Sequence, residues 1–362
     1  MIPANDLKRG FMLHKKEYEE KALEVLNSGW YVLGKEVAAF EEEFAASIGS
    51  KYAIGVDNGL NAIVLGVKAL GIGAGDEVIL QANTYIATAL GVSHNGATPV
   101  FVDCDEYYGI DAEKIEEKIT SRTKAVLVTH LYGMPNRMDE IVKVCKKHNL
   151  FLLEDCAQSH FATFDGKNTG TFGEMGFFSF YPTKNLGGFG DGGAVITDSE
   201  ELAGKLRTLR NYGSRVKYIN ECIGYNSRLD EMQAGLLRVK LSHMSELNEE
   251  RCRIAKIYLD GIKNSKIKLP QVRENSTCIW HQFVVCVAGR DRLKEYLKER
   301  GIGSDIHYPI PPHLSSAYGF LGYKKGDFPI AERYADSVLS LPMFNGMIED
   351  EALAVVKVLN EF

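Results

Sequence analysis

The sequence predicts an α/β fold with a mostly parallel sheet, on two observations. Short apolar runs typical of strands alternate with segments of helical periodicity over residues 52–155. The chain has 362 residues, enough for two domains or for a large domain with a smaller companion. Repeated strand–helix units place helices on both faces of a parallel sheet. We therefore predict a large domain over residues 1–244 and a smaller C-terminal α/β domain over residues 245–362.

Each element is predicted from its own pattern. Residues 1–13 show no regular period and predict an irregular arm. Apolar residues at helical spacing then predict helices over Lys15–Ser28 and Val37–Ile48. The alternating region predicts, in order, strand Tyr52–Val56, helix Ala62–Leu70, strand Glu77–Leu80, helix Tyr85–Ser93, strand Pro99–Val102, helix Asp111–Ile119, strand Ala125–Thr129, helix Met138–His148 and strand Phe151–Leu153. The C-terminal region predicts helix Leu247–Ile262, strand Ile279–Val287, helix Arg290–Arg300 and a final helix from Glu349.

Composition and charge exclude several classes of protein. Lysine and arginine number 42 against 48 acidic residues, a net charge of −6 without a basic run, so we expect no nucleic-acid partner. No apolar run of about 20 residues occurs, and we expect no membrane span. The seven cysteines form no CxxC pair and no Cys/His cluster at zinc spacing. We therefore expect reduced thiols, no metal site and a cytoplasmic protein.

One lysine stands in a constrained loop. Lys184 lies between the segment Phe178–Pro182 and a loop with five glycines, which is followed by a strand pattern from Ala194 to Thr197. Proline stiffens the approach, and glycines let the backbone come close to a flat or anionic group. A glycine-rich surface loop with an exposed lysine is the alternative.

A carboxylate at the end of a strand and a constrained lysine are together what pyridoxal phosphate requires. Lys184 would form the Schiff base, and Asp155 would keep the pyridine nitrogen protonated so that the ring accepts electrons. Ligands collect at the carboxyl ends of parallel strands, and Asp155 lies at such an end. A helix cap is the alternative role for Asp155.

The cofactor phosphate needs fixed donors. The backbone N–H groups of Gly59 and Leu60 open a helix, where free N–H groups and the helix dipole favour an anion. The Ser179 hydroxyl, five residues before Lys184, is a further candidate donor, and Tyr85 could stack on the ring. Each residue taken alone has an alternative role. Tyr85 could be a core side chain, and the Ser179 hydroxyl could form its hydrogen bond within a strand.

The chain resembles the DegT/DnrJ/EryC1/StrS sugar aminotransferases, a branch of the fold-type I, aspartate aminotransferase-like, pyridoxal phosphate enzymes. The resemblance covers nearly the whole chain and implies a three-layer α/β/α large domain with a smaller C-terminal α/β domain. Its most specific motifs are Gly29–Gly34, Asn83–Thr88, Glu154–His160, Ser179–Leu186 and Gly224–Asp230. Asn58–Asn61 departs from the Ser-Gly-Thr of many relatives, which leaves more of the phosphate hold to backbone N–H groups.

The resemblance also implies roles for single residues. Lys184 would carry the cofactor and Asp155 would contact its pyridine nitrogen, while Gln158 would contact its phenolic oxygen. Asn226 would reach the cofactor phosphate of a neighbouring subunit, which implies a homodimer with shared active sites. A cap on its own helix is the alternative role for Asn226. The freed Lys184 must be neutral to take a proton, so we expect its pKa to be lowered.

The substrates are also implied by resemblance. Glutamate would donate the amino group to a nucleotide-linked keto sugar. The segment Ile306–His313 is similar to that of relatives that aminate C-3 of a dTDP-linked 3-keto-6-deoxyhexose, and His307, Tyr308 and Tyr181 would line the sugar pocket. Sugars with a 4-keto group and UDP-linked 3-keto uronic acids remain alternatives. Structurally, the segment could be only a proline-rich crossover.

Other classes are less favoured by the residues present. A pyridoxamine-dependent sugar dehydratase would have histidine in place of Lys184, and a catalytically silent relative would have lost Lys184 or Asp155. A nicotinamide dehydrogenase needs GxGxxG between a strand and a helix. Gly188, Gly190 and Gly193 fit that spacing but precede a strand, and Gly71–Asp76 ends in aspartate and leads into a strand.

Overall fold

A computed structural model describes the chain from Met1 to Phe362. Its α-helices are α1 Leu7–Leu13, α2 Lys15–Ser28, α3 Lys35–Ile48, α4 Gly59–Ala69, α5 Ile86–Ser93, α6 Met138–His148, α7 Glu200–Leu209, α8 Glu231–Ser242, α9 Met244–Gly261, α10 Arg290–Glu299, α11 Pro329–Ser337 and α12 Glu349–Glu361. Its strands are β1 Tyr52–Val56, β2 Glu77–Gln81, β3 Thr98–Val102, β4 Thr123–Thr129, β5 Phe151–Asp155, β6 Thr163–Phe164, β7 Lys167–Asn168, β8 Met175–Ser179, β9 Gly193–Thr197, β10 Ser214–Val216, β11 Ile219–Asn220, β12 Ile267–Lys268, β13 Ser276–Thr277, β14 Phe283–Val287 and β15 Val338–Leu341. The predicted helices Lys15–Ser28 and Met138–His148 are confirmed at both ends.

The centre of the molecule is a seven-stranded sheet in the order β1-β9-β8-β5-β4-β2-β3. The run from β8 to β3 is parallel, while β9 pairs antiparallel with both β1 and β8. The strands of this sheet are almost entirely buried, as expected when helices cover both faces. The predicted α/β class with a mostly parallel sheet is confirmed.

Close packing of helices on the sheet explains one interior glycine. Helix α4 packs on β8, and a Cβ at Gly66 would lie 2.3 Å from Cε1 of Phe177. Only glycine lets the helix axis approach the strand this closely. On the other side of the sheet, α3 packs on β1 and contributes Phe40 and Phe44 to a buried aromatic cluster.

The C-terminal part has its own sheet and core. Strands β12, β14 and β15 form a three-stranded antiparallel sheet, and side chains from α9, α10 and α12 pack with it in a separate apolar cluster. Helix α9 begins at Met244, and Leu247 in its second turn still packs on the large-domain core. The division into domains at residues 244 and 245 stays a prediction.

Three expectations about elements are wrong. The arm contains helix α1, because Asp6 accepts a hydrogen bond from Arg9 N (3.1 Å) and Phe11 packs on Tyr18 and Phe189. Two short 3₁₀ turns replace the helix predicted over residues 111–119, since only Ile115 of that segment is buried. The strand predicted from Ile279 begins at Phe283.

No helix of this protein is both long enough and apolar enough to cross a membrane.

Candidate active site

Lys184 and Asp155 come from neighbouring strands of the central sheet. Asp155 is the last residue of β5, and it pairs with Phe177 of the parallel strand β8. After β8 the chain makes a tight turn in which Lys184 N donates to Tyr181 O (2.8 Å), and the loop closes where Phe180 N donates to Gly192 O (2.7 Å). The two predicted residues therefore lie at one edge of the sheet.

The surroundings of Lys184 favour the neutral form of its amine. Its ammonium group takes part in no ion pair, and burial lowers the pKa of Lys184 to about 8, while the negative charge of Asp155 acts in the opposite direction. Desolvation disfavours the charged form of an amine. The expected lowering of the Lys184 pKa is confirmed.

Asp155 is a buried carboxylate with few partners. Its Oδ2 accepts from Thr88 Oγ1 (2.7 Å) and its Oδ1 accepts from Ala157 N (3.1 Å), and it forms no ion pair. Burial raises the pKa of Asp155, and these two hydrogen bonds together with the charge of Lys184 work against that rise. A buried carboxylate in this state is stabilised by a nearby cation.

Sequence reasoning missed the hydroxyl group that supports Asp155. Thr88 Oγ1 also contacts Thr84 Oγ1 (2.7 Å), which in turn contacts Thr129 Oγ1 (3.0 Å) at the end of β4. All three threonines are buried. Thr84 and Thr88 belong to the motif Asn83–Thr88, which also contains Tyr85. Their presence in the same motif as a predicted site residue was the available sign that they belong to the site.

The three predicted phosphate donors lie together. A Cβ at Gly59 would lie 2.6 Å from Cβ of Ser179, so the first turn of α4 is in van der Waals contact with the end of β8. The N–H groups of Gly59 and Leu60 have no acceptor within the protein. The Asn58 side chain caps α4 by accepting from Asn61 N (2.8 Å). Free N–H groups and a hydroxyl thus converge at the N-terminus of an eleven-residue helix.

Tyr85, Gln158 and Tyr308 are also brought together. The rings of Tyr85 and Tyr308 have centroids 4.9 Å apart, and Tyr85 is 52% exposed, which leaves ring surface free to stack on a ligand. Gln158 Nε2 donates to the Tyr308 hydroxyl (3.0 Å), and Gln158 Oε1 accepts from Tyr132 N (2.8 Å). The Gln158 amide is therefore fixed, with one N–H still available.

His307 is held in a fixed orientation beside this group. Its Nδ1 is 2.8 Å from Ser340 Oγ, and its backbone carbonyl accepts from the Tyr132 hydroxyl. Burial lowers the pKa of His307 to about 4, so the imidazole is neutral at pH 7. Tyr181 is 53% exposed on the turn that carries Lys184, and its side chain has no partner within the chain.

Asn226 lies apart from these residues on an exposed loop. Its backbone pairs with Asn211, and its side chain makes no hydrogen bond within the chain. Asp230 is the N-cap residue of α8 and makes no side-chain capping bond. The alternative role of Asn226 as a cap is therefore not found, and its contact with a partner subunit stays a prediction.

The residues present fit pyridoxal phosphate. The protonated pyridine nitrogen would supply the cation that buried Asp155 lacks, and the phosphate would satisfy the free N–H groups of Gly59 and Leu60. Lys184 supplies an amine with a pKa of about 8, suited to condensing with an aldehyde near neutral pH. Within the protein, the Asp155 carboxylate forms no ion pair and the N–H groups of Gly59 and Leu60 have no acceptor.

The chain is similar to known aminotransferases over nearly its whole length. The DegT/DnrJ/EryC1/StrS aminotransferase family matches residues 13–360. The chain is 50% identical, over 100% of its length and 99% of the relative's, to the dTDP-3-amino-3,6-dideoxy-alpha-D-galactopyranose transaminase of Aneurinibacillus thermoaerophilus. It is 41% identical, over 99% and 97%, to the UDP-N-acetyl-3-dehydro-alpha-D-glucosamine 3-aminotransferase of Acidithiobacillus ferrooxidans. The crystal structure of Streptomyces venezuelae DesV in complex with a ketimine intermediate superposes with a TM-score of 0.98 and 45% identity, covering 99% of this chain and 98% of that one.

Proposed function

The chain belongs to the DegT/DnrJ/EryC1/StrS aminotransferase family, and from this premise we propose that it transfers an amino group from glutamate to C-3 of a dTDP-linked 3-keto-6-deoxyhexose. It is a pyridoxal phosphate-dependent aminotransferase of nucleotide sugars, so the proposal concerns the substrate and the roles of single residues. The observation that carries it is the contact of the segment Ile306–Tyr308 with the cofactor-site residues Gln158 and Tyr85.

When bound, the cofactor would supply an aldehyde carbon that takes up the amino group and a ring that accepts electrons from the reacting carbon. Asp155 holds the proton on the pyridine nitrogen, and Thr88 keeps the Asp155 carboxylate oriented through its 2.7 Å hydrogen bond. The free Lys184 amine would take the proton from the α-carbon of the donor as a general base and, once protonated, would return it as a general acid to the cofactor carbon that bears the amino group. Its lowered pKa gives a usable neutral fraction at pH 7.

The remaining residues bind and orient. Gly59, Leu60 and Ser179 donate hydrogen bonds to the phosphate, and Tyr85 covers the ring. Tyr308, held by Gln158, and the neutral imidazole of His307 face the sugar hydroxyls. A neutral imidazole can accept as well as donate, which suits a polyol. Tyr181 closes the pocket from the turn that carries Lys184.

The substrate is tested by offering the holoenzyme glutamate with 3-keto and with 4-keto nucleotide sugars and comparing kcat/KM. We expect a preference for the dTDP-linked 3-keto-6-deoxyhexose of at least about tenfold, since a misplaced carbonyl leaves buried polar groups unpaired. UDP-linked 3-keto sugars are included because of the relative that acts on one. A preference for a 4-keto sugar would overturn the proposed substrate and leave the aminotransferase activity intact.

We also propose that the protein functions as a homodimer in the cytoplasm. All seven cysteines are free, as in a reducing compartment. The dimer is supported by the unpartnered amide of Asn226 and by exposed apolar residues near it, including Ile219 and Ile223.

A further inference from the structure

A cavity adjoins the turn that carries Lys184. It has a volume of about 250 Å³ and lies between the N-terminal arm, that turn and helices α8 and α9. Thr183 and Lys184 line it from the turn, Lys240 from α8 and Arg251 from α9. The predicted sugar-pocket residues His307 and Tyr308 do not line it. The mechanism described above makes no use of this cavity.

The charged residues around the cavity are unbalanced. Lys184, Lys240 and Arg251 are the basic residues that line it, and Asp6 is the one carboxylate. Asp6 already has partners, because it caps α1 through Arg9 N and its other oxygen lies 3.8 Å from Arg9 Nε. Neither Lys240 nor Arg251 forms an ion pair. Basic side chains therefore outnumber acidic ones around the cavity. The nearby Glu250, whose charge acts on Arg251, already accepts hydrogen bonds from Asn345 Nδ2 (2.8 Å) and Gly346 N (3.0 Å).

Arg251 is fixed by the protein on one side and free on the other. It is only 4% exposed, its Nε donates to Asn345 Oδ1 (3.1 Å), and its Nη1 donates to the carbonyl of His281 (3.1 Å). Its Nη2 makes no hydrogen bond within the protein, and this nitrogen is left to face the cavity that Arg251 lines. A buried guanidinium with a free N–H edge is an oxyanion receptor.

Lys240 provides a second hydrogen-bond donor that can bind an oxyanion. Its Nζ makes a single hydrogen bond, to the carbonyl of Gly187 at 3.3 Å. Burial and the neighbouring charge of Arg251 lower the pKa of Lys240 to about 7. An anion in the cavity would raise the pKa of Lys240 again, because an opposite charge favours the protonated amine.

We propose that this cavity binds a carboxylate of the amino donor, and that Lys240 and Arg251 thereby select a dicarboxylic amino acid. Position supports this choice, since Lys184 and Thr183 line the same cavity and an anion bound there lies next to the reactive turn. The inference rests on the proposed function, because the donor is a substrate of that reaction. The diphosphate or a sugar carboxylate of the nucleotide sugar has the same oxyanion chemistry, and the experiment separates these sources.

The experiment changes Lys240 rather than Arg251, whose bonds to backbone carbonyls make it part of the fold. Lys240→Met keeps the length of the side chain and removes its charge, and Lys240→Arg restores a cation. Lys205→Met is the control, because Lys205 is exposed on α7 and pairs only with Glu201. The holoenzymes are mixed separately with glutamate and with alanine, and the spectral change of each half-reaction gives an apparent Kd.

We expect Lys240→Met to raise the apparent Kd for glutamate about tenfold or more, the usual effect of losing a hydrogen bond to a charged group. Its reaction with alanine and its KM for the nucleotide sugar should stay within about twofold of wild type, and Lys240→Arg should recover much of the loss. Lys205→Met should match wild type in every assay.

An equilibrium measurement checks the same site without turnover. Succinate should raise the Tm of the wild-type holoenzyme more than acetate does, and Lys240→Met should remove that difference. A raised KM for the nucleotide sugar with unchanged glutamate binding would assign the cavity to the sugar nucleotide and overturn the proposal. Unchanged values for both substrates would also overturn it. Failure of the proposed function looks different: no keto sugar would accept the amino group, while glutamate binding would still depend on Lys240.

Discussion

At the scale of single residues, the alternation of side chains along β5 decides which of two adjacent acids is free for the proposed cofactor site. Glu154 points away from the cofactor side, where its oxygens accept from Gly170 N (2.7 Å), Phe172 N (2.7 Å) and the buried His130 (3.0 Å). Asp155, one position later, lies on the opposite face, as successive strand residues do. Glu154 therefore anchors a loop, while Asp155 remains available to a cofactor cation.

Removal of the Lys184 amine should abolish turnover. We expect Lys184→Ala to lose at least about 10²–10⁴-fold in kcat, the range that a positioned acid–base group supplies. The aminated sugar should remain covalently attached to the cofactor, because no amine is left to displace it. Absorbance spectra and steady-state rates measure both effects. Transamination at a near wild-type rate would show that Lys184 does not carry the cofactor.

The lowered pKa of Lys184 predicts how cofactor capture depends on pH. Only the neutral amine condenses with an aldehyde, and with a pKa of about 8 roughly a tenth of Lys184 is neutral at pH 7. The rate at which the apoprotein captures pyridoxal phosphate should rise between pH 6 and about pH 9 and then level off, because the neutral fraction is half at the pKa. Stopped-flow absorbance across this range tests it. A rate that keeps rising toward pH 10 would mean that burial does not lower the pKa of Lys184.

Thr88 should act through Asp155. Thr88→Val keeps the shape of the side chain and removes one of the two donors to the carboxylate, a loss of about 1–3 kcal/mol for a charged acceptor. We expect the Kd of the cofactor to rise about tenfold or more, with a shift in the pH dependence of its absorbance. Thr88→Ser, which keeps the hydroxyl, is the control. Equal cofactor affinity in Thr88→Val and wild type would show that Thr88 does not contribute to cofactor binding.

At the scale of elements, a residue of α8 caps α3. Glu231 accepts hydrogen bonds from Gly34 N (2.7 Å), Glu36 N (2.9 Å) and Val37 N (2.9 Å), so one buried carboxylate satisfies the free N–H groups at the start of that helix. Gly34 has to be glycine there, because its Cβ would lie 2.8 Å from Glu231 Oε2 and 2.6 Å from the Trp30 ring. The motif Gly29–Gly34 is thereby linked to the helix that follows Asn226.

Loss of this cap should destabilise the protein. Glu231→Gln turns one acceptor into a donor that faces other donors, and we expect the free energy of unfolding to fall by about 1–3 kcal/mol. Urea denaturation of the holoenzyme measures the change. Glu295→Gln on the exposed face of α10 is the matched control and should lie within about 0.5 kcal/mol of wild type. Similar values for the two variants would show that the cap adds nothing.

At the scale of the whole molecule, exposed apolar residues occur in the segment that leads to Asn226. The exposed fractions of Tyr212, Ile219 and Ile223 are 50%, 59% and 86%. Large exposed apolar groups of this kind mark surfaces that another chain covers. They support the proposed homodimer, in which Asn226 reaches the cofactor phosphate of the partner subunit.

Mixed dimers test the shared site. Subunits with Lys184→Ala are combined with subunits altered at both Tyr85 and Asn226, each homodimer being nearly inactive. One hybrid site then keeps its own Lys184 and receives an intact Asn226 from the other chain, so it lacks only Tyr85. We expect part of the activity to return in dimers that native mass spectrometry shows to be mixed. Activity no higher than that of either parent would mean that Asn226 serves its own chain.

The fold class could be predicted from local patterns, because hydrophobic periodicity depends on residues that are neighbours along the chain. The β–α alternation and the helices Lys15–Ser28 and Met138–His148 followed from it directly. The order of Asp155, Lys184 and the glycine loop also indicated the cofactor chemistry, since these residue types at strand ends suit few other ligands. Helix α1 was missed, because its formation depends on packing of Phe11 against the distant Phe189.

The contacts between residues that are distant along the chain could not be predicted and are known from the folded structure alone. Thr88 reaches Asp155 across 67 positions, and Gln158 reaches Tyr308 across 150. Such contacts produce no periodic pattern in the sequence. The sequence analysis therefore gave Thr88 no role, although it identified the motif Asn83–Thr88. The cavity between Lys240 and Arg251 was missed for the same reason, and each lysine or arginine by itself is typical of a solvated helix surface. Burial, which lowers their pKa values, arises only when the arm, the turn and two helices come together.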